Sequence, residues 1–161
     1  MAEILKKEEL APQVFRFRLQ APHIARKRKA GQFVIIRATE RSERIPLTIA
    51  NASSEAGWVE IIFQTIGAST LELSTLSVGE KVNDIAGPLG QPTHIEKFGR
   101  TLCIGGGVGI APLYPIVAAL KEAGNEVFTI IGARTKEMLI LENEMKAQSS
   151  KLLIATDDSS D

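Results

Sequence analysis

The run Gly105-Gly106-Gly107-Val108-Gly109-Ile110-Ala111-Pro112 carries the strongest local chemical signal in the chain. It follows a strand-like stretch, TLCIGGG, and opens a helix-like one. Glycines at such a turn let a ligand approach the backbone closely, and a helix N-terminus offers unpaired N–H groups to a pyrophosphate. Pro112 suits the first turn, where a missing N–H costs little. The strict dinucleotide spacing is not met, because with Gly105 and Gly107 as its first two glycines the third position is Ile110. The same residues could also serve a tight turn used only for packing, although nucleotide binding is the favoured reading. At the end of the next strand, Ile131-Gly132-Ala133-Arg134 stands where an acidic residue would hold a ribose hydroxyl. Arg134 there can take a 2′-phosphate, favouring NADP over NAD, or can be a solvated loop residue. Thr156-Asp157-Asp158 ends a third strand, at the carboxyl edge where ligands bind in open parallel sheets, although Asp and Ser are also ordinary turn formers.

The first half holds three further candidates. Arg44-Ile45-Pro46-Leu47-Thr48-Ile49-Ala50 sets a fixed cation, a proline and a hydroxyl on alternating positions, so Arg44 and Thr48 share one face of an extended strand. Arg44 could contact a phosphate while Thr48 and nearby backbone groups bond a ring. Taken alone, the segment better fits an edge strand with a rim salt bridge from Arg44 to Glu40 or Glu43. Gly67-Ala68-Ser69-Thr70 precedes a short helix and is a candidate anion cradle. Gly87-Pro88-Leu89-Gly90 turns the chain out of the first half.

Other features carry less. His23 and His94 are far apart and each sits beside a turn, forming neither a metal pair nor a triad. Arg26-Lys27-Arg28-Lys29 reads as a solvated hairpin tip rather than a partner patch. Cys103 lies within an apolar strand, as core filler rather than a nucleophile. No Ser–His–Asp set, paired-carboxylate pattern or P-loop lysine is present.

The elements that must position these residues fall into two grammars. Residues 1–97 contain VFRFRL (Val14 to Leu19), QFVIIRA, WVEIIFQ (Trp58 to Gln64) and EKVNDIAG, divided by turn formers, with a further strand before Pro12. About six short strands at near-regular spacing predict a small antiparallel β-barrel, with one short helix over Ala68 to Leu76. Residues 98–161 read as β-α-β-α-β, half of a doubly wound parallel α/β sheet, with helices over Val108 to Ala123 and Lys136 to Ala147. The rest of such a sheet is missing, so the sequence reads as a fragment or a natural truncation.

Composition sets the outer bounds. With 161 residues, 44% of them hydrophobic, the chain can bury a core without disulfides. Nineteen basic residues balance nineteen acidic ones, which argues against a general nucleic-acid binder. Its only cysteine excludes an intramolecular disulfide or a four-cysteine cluster within these residues. No signal-peptide core or membrane-spanning apolar run is present, giving the expectation of a soluble, cytoplasmic protein.

As an ordered set, Arg44-x-Pro46-x-Thr48, Gly67-Ala68-Ser69-Thr70, Gly87-Pro88-Leu89-Gly90 and Gly105-Gly106-Gly107-x-Gly109-x-Ala111-Pro112 resemble the ferredoxin–NADP reductase superfamily. Within it the chain is most similar to the electron-transfer flavoprotein subunits of the ferredoxin–NADP reductase (sulfide dehydrogenase) and dihydroorotate dehydrogenase type, a branch that Gly132-Ala133-Arg134 and Thr156-Asp157-Asp158 also match.

The resemblance implies an FAD-binding barrel followed by an NAD(P)-binding domain. It places Arg44, Pro46, Leu47, Thr48 and Ile49 along the flavin, with Arg44 near its phosphates and Thr48 near the reactive ring nitrogen. It gives the FAD pyrophosphate to Gly67, Ala68, Ser69 and Thr70, and puts Gly87 beside the same cofactor. Gly106, Gly107, Val108, Gly109, Ala111 and Pro112 would underlie the nicotinamide nucleotide, with Arg134 and Asp157 at its rim. No side chain is implied as an acid or base. Nicotinamide would deliver hydride to the flavin, which would pass electrons singly to an iron–sulfur partner, either a ferredoxin or a larger catalytic subunit, or the reverse.

Three departures stand out. Pro46-Leu47 occupies the stretch where plant-type reductases place a tyrosine against the flavin, and Ser159 follows Asp158 where relatives carry glycine. The family's carboxy-terminal cysteine cluster for a [2Fe–2S] centre is absent from these residues, so the centre is expected only in a longer protein. An unfinished parallel sheet would also expose an edge that a partner should cover. The alternative function is a non-catalytic nucleotide-binding or scaffold module without productive flavin, which a colourless protein that still binds nucleotide would support.

Overall fold

A computed structural model describes residues 1–159 and divides into two compact units, Met1–Pro92 and Thr93–Asp161. In the first unit, β1 (Ala2–Ala11), β2 (Val14–Gln20), β3 (Phe33–Arg37), β4 (Ile45–Ser53), β5 (Trp58–Gln64), β6 (Lys81–Val82) and β7 (Asp84–Leu89) form one sheet. All its pairings are antiparallel, in the order β6-β1-β2-β5-β4-β3-β7. β6 and β7 lie at opposite ends of that order, yet only Asn83 separates them, so the sheet curls into a nearly closed barrel. This is the expected antiparallel barrel, with seven strands rather than six. The surplus arises in EKVNDIAG, which divides at Asn83 as the chain leaves β1 for β3. The Asn83 N–H donates to the Arg37 carbonyl at 2.9 Å and fixes that corner.

Strand alternation fills the interior with Ile4, Phe17, Leu19, Ile36, Ile61 and Phe63. Each such side chain contributes about 1.5–3 kcal/mol on burial. Glu60 is also buried in the sheet, bonded to Arg18 at 3.1 Å, while the Arg18 guanidinium lies over Trp58. Two short helices accompany the barrel: α1 (Pro22–Lys27) and α2 (Ala68–Ser74). α1 corrects the hairpin-tip reading of the basic run. Pro22 starts it, Ile24 and Ala25 bury its inner face, and Arg26 and Lys27 sit in its last turn, where cations favour the helix dipole. Six residues are too few for helical periodicity to show.

Gly90 is one position where only glycine fits. Its φ is +82°, and a Cβ there would stand 2.7 Å from the Phe33 ring. Gly90→Ala is expected to destabilise the barrel by about 1–3 kcal/mol through backbone strain and ring displacement. Urea denaturation of the two proteins checks this, and an unchanged midpoint would contradict it.

The second unit contains β8 (Arg100–Gly106), α3 (Ile110–Glu122), β9 (Glu126–Ala133), α4 (Glu142–Gln148) and β10 (Lys151–Thr156). The strands are parallel in the order β10-β9-β8, the expected β-α-β-α-β. Cys103, Val127, Thr129 and Ile131 are buried on one face, while Leu102, Ile104 and Leu153 are exposed on the other. The Lys136 to Ala147 helix is not continuous: a 3-10 turn at Lys136–Met138 ends before Leu139, and Leu141 adopts φ +58° ahead of α4. Ile140 and Leu141 are drawn into the core at this break, so their apolar spacing reflects burial of a bend rather than a helical stripe. Likewise α3 starts at Ile110, after a 3-10 turn over Gly107–Gly109. Asn125, 7% exposed, ties the unit together through bonds to Glu96, Phe98, Gly99 and Leu120. Among the described residues, no helix is long and apolar enough to cross a membrane.

Candidate functional site

In the barrel unit, the register of β4 with β3 decides which side chains face outward. Pro46 lies opposite Ile35 and Thr48 opposite Phe33, and these half-exposed or exposed residues share the outer face. Ile45 and Leu47 pack against the interior cluster and Ile49 belongs to it. A ligand on the outer face therefore meets Leu47 and Ile49 through their backbone alone. Phe33 and Ile35 extend the apolar shelf beside Pro46, an addition hidden in the sequence because QFVIIRA is apolar on both faces.

Arg44 stands at the entrance to β4. Its guanidinium lies 3.1 Å from Asp84, not against Glu40 or Glu43, and Arg37 reaches the same carboxylate oxygen at 2.7 Å. Two cations on one carboxylate leave a net positive charge at the end of the shelf. Pairing in sequence could not suggest Asp84, since it arrives from β7 through its register with Arg37.

Gly67 precedes α2, and a Cβ there would meet nothing within 4 Å. The Thr70 hydroxyl accepts hydrogen bonds from the Ile66 and Gly67 amides at 3.1 and 3.2 Å. This leaves the first-turn amides of Ala68, Ser69 and Thr70 as the donors the helix does not use internally. Gly87 differs: a Cβ would lie 2.9 Å from Val34 and 3.2 Å from the Phe33 carbonyl, so its small size serves close packing of β7 on β3. The Gly87–Pro88 peptide is cis.

In the second unit, the candidate residues gather at the carboxyl ends of the parallel strands. Gly106 pairs with Gly132, and Ala133 pairs with Thr156, so the glycine loop, Arg134 and Asp157 all leave the same edge. Gly106, Gly107, Val108 and Gly109 are exposed, and added Cβ atoms at Gly107 and Gly109 would meet open space. Gly107 itself sits at φ +57°, which favours glycine. Gly105 has another role, admitting Leu113 of α3, whose Cδ2 would lie 2.9 Å from its Cβ. Ala111 is buried and Pro112 half-buried, so they shape the first turn of α3 without presenting side chains to the loop mouth. Arg134 and Asp157 are exposed, and the Asp157 amide donates to the Ala133 carbonyl at 3.2 Å. Ser159 adopts φ +57°, a conformation glycine takes without strain. Cys103 is buried and burial pushes its thiol pKa up, the opposite of nucleophile activation.

The residues present fit a flavin nucleotide in the first unit: a flat apolar shelf, a net cation at its end, and an open glycine before free first-turn amides. Comparison with known proteins agrees. Residues 1–94 match the oxidoreductase FAD-binding domain family. The chain is 48% identical over 158 residues to a dihydroorotate dehydrogenase B (NAD(+)) electron transfer subunit homolog of Thermotoga maritima, covering 98% of this chain and 56% of that one. It is 34% identical over 162 residues to the electron transfer subunit of Streptococcus mutans dihydroorotate dehydrogenase B (NAD(+)), covering 98% and 62%. A solved NADH-dependent reduced ferredoxin-NADP oxidoreductase superposes with a TM-score of 0.94 at 46% identity, over 99% of this chain and 58% of that one. Phthalate dioxygenase reductase, at 20% identity and a TM-score of 0.83, shares the fold. The chain thus spans little more than half the length of these curated relatives. It belongs to the FAD-binding oxidoreductase domain family.

Proposed function

We propose that this member of the FAD-binding oxidoreductase family is part of an electron-transfer flavoprotein, moving electrons between NAD(P)H and an iron–sulfur partner through FAD. The observation that carries the proposal is the outer face of β3 and β4, where Phe33, Ile35, Pro46 and Thr48 form a shelf ending at Arg44. Arg44 would hold the flavin's phosphates by charge-assisted bonds, with Asp84 and Arg37 fixing its direction. The amides of Ala68, Ser69 and Thr70 would bind the pyrophosphate, and Thr48 would bond the ring system. The apolar shelf would exclude water from one ring face. When bound, the flavin supplies the exchange between a hydride donor and one-electron carriers.

In the second unit the Gly106–Ala111 loop would cradle the nicotinamide nucleotide, with Arg134 favouring a 2′-phosphate and Asp157 at the rim. With Cys103 as the sole cysteine, the iron–sulfur centre is assigned to residues or subunits beyond this sequence. A heteromeric partner and a cytoplasmic location are part of the same proposal.

Gly109→Ala tests the nucleotide loop separately from folding. Gly109 has φ −63° and open space around it, so a methyl group fits the protein and stands in the ligand's path. Stability is expected to hold or rise by about 0.4–1 kcal/mol. NADPH affinity, measured by calorimetry, is expected to fall on the order of tenfold, the loss from about 1.4 kcal/mol of steric conflict. Equal NADPH affinity in the two proteins would remove the loop from the site.

A further inference from the structure

We propose that Ser42 is a positioning residue for the flavin site, its hydroxyl bracing the Arg44 segment against α2 so that the two phosphate-contacting elements keep one spacing. The inference rests on the flavin reading of the barrel. Ser42 is 8% exposed, two residues before Arg44. Its hydroxyl donates to the carboxylate of Glu72, one turn into α2 from Ala68.

The donor directions are ordered. Because the Ser42 hydrogen goes to Glu72, the Thr39 hydroxyl 2.7 Å away donates to Ser42. The Thr39 oxygen in turn accepts from the Arg41 amide at 3.3 Å, and the Ser42 oxygen accepts from the Thr39 amide at 3.1 Å. Every donor in this chain points towards the Glu72 carboxylate, so each bond polarises the next. Thr39 and Ser42 would close their own loop without leaving it. The bond to Glu72 crosses 30 positions of sequence and has no part in that closure. Arg37 continues the brace, donating to the Glu40 carbonyl at 3.4 Å while pairing with the carboxylate that holds Arg44. The loop over residues 38–44 thus joins the Arg44 cation to the helix whose first-turn amides face the pyrophosphate in the proposed site.

The test measures FAD and riboflavin dissociation constants by flavin fluorescence on the full chain. It uses Ser42→Ala, Glu72→Ala, the double variant and Ser42→Thr. Each single alanine variant is expected to weaken FAD binding on the order of tenfold, with the double variant no weaker than the worse single. Riboflavin, which lacks phosphates, is expected to bind all of them alike, and Ser42→Thr is expected to restore FAD affinity. A loss shared equally by FAD and riboflavin, additive single losses, or unchanged FAD affinity in Ser42→Ala would overturn the positioning role. If Arg44→Ala weakens FAD binding while Ser42→Ala does not, the brace alone fails. If the wild-type chain takes up no FAD, the flavin reading fails and the brace with it.

Discussion

Asn125→Ala is expected to cost the second unit about 2–3 kcal/mol, since it removes four hydrogen bonds made by one buried side chain at once. The Asn125 oxygen accepts from the Phe98 and Gly99 amides at 2.6 and 3.0 Å. Its nitrogen donates to the Glu96 and Leu120 carbonyls, both at 2.9 Å. The side chain thereby binds the segment entering β8 to the end of α3. Asn125→Asp keeps the acceptor for the two amides but sets a carboxylate oxygen against the Glu96 and Leu120 carbonyls, so its cost should be at least that of alanine. Hydrogen exchange of the β8 and β9 amides in urea reads the effect in this unit. Protection within about 0.5 kcal/mol of wild type in Asn125→Ala would contradict the assignment.

Arg44→Ala should weaken FAD binding by about 10- to 100-fold, the loss of a charge-assisted phosphate contact of about 1.5–3 kcal/mol. The fold itself should hardly change, because the Arg44–Asp84 pair is solvent-exposed, with the side chains 59% and 44% accessible. Affinity and stability therefore separate, which distinguishes a ligand contact from a structural one. Arg44→Lys should keep part of the affinity, as a point charge without the planar fork. Unchanged FAD affinity in Arg44→Ala, measured by fluorescence titration, would remove Arg44 from the site.

Legibility in the sequence followed how local each determinant is. The barrel and the β-α-β-α-β unit could be read from alternation and apolar runs, since VFRFRL and EVFTIIGA each form the expected strand. The break at Leu141 could not, because burial of Ile140 and Leu141 imitates helical spacing. Within the proposed site, Arg44 and Thr48 stand out as a cation and a hydroxyl in an apolar strand, although only the family resemblance links them to a flavin. Phe33, Ile35 and Asp84 do not stand out in the sequence, since only the strand register brings them beside Pro46 and Arg44. The same limit applies to Asn125 and Ser42, ordinary turn residues by type whose roles come from partners distant in sequence. The glycines show it too: Gly67 and Gly109 leave space open, whereas Gly87 and Gly105 are filled by Val34 and Leu113. One residue type thus serves both ligand approach and packing, and only the neighbours distinguish them.

The proposed function stands on FAD held at the outer face of β3 and β4. The most direct measurement is the visible absorption spectrum of the purified protein, with any released flavin identified and added FAD titrated back. A flavin spectrum with released FAD is expected, or stoichiometric uptake of added FAD when the protein is purified without it. A colourless protein that takes up no FAD would contradict it and leave a nucleotide-binding module in its place.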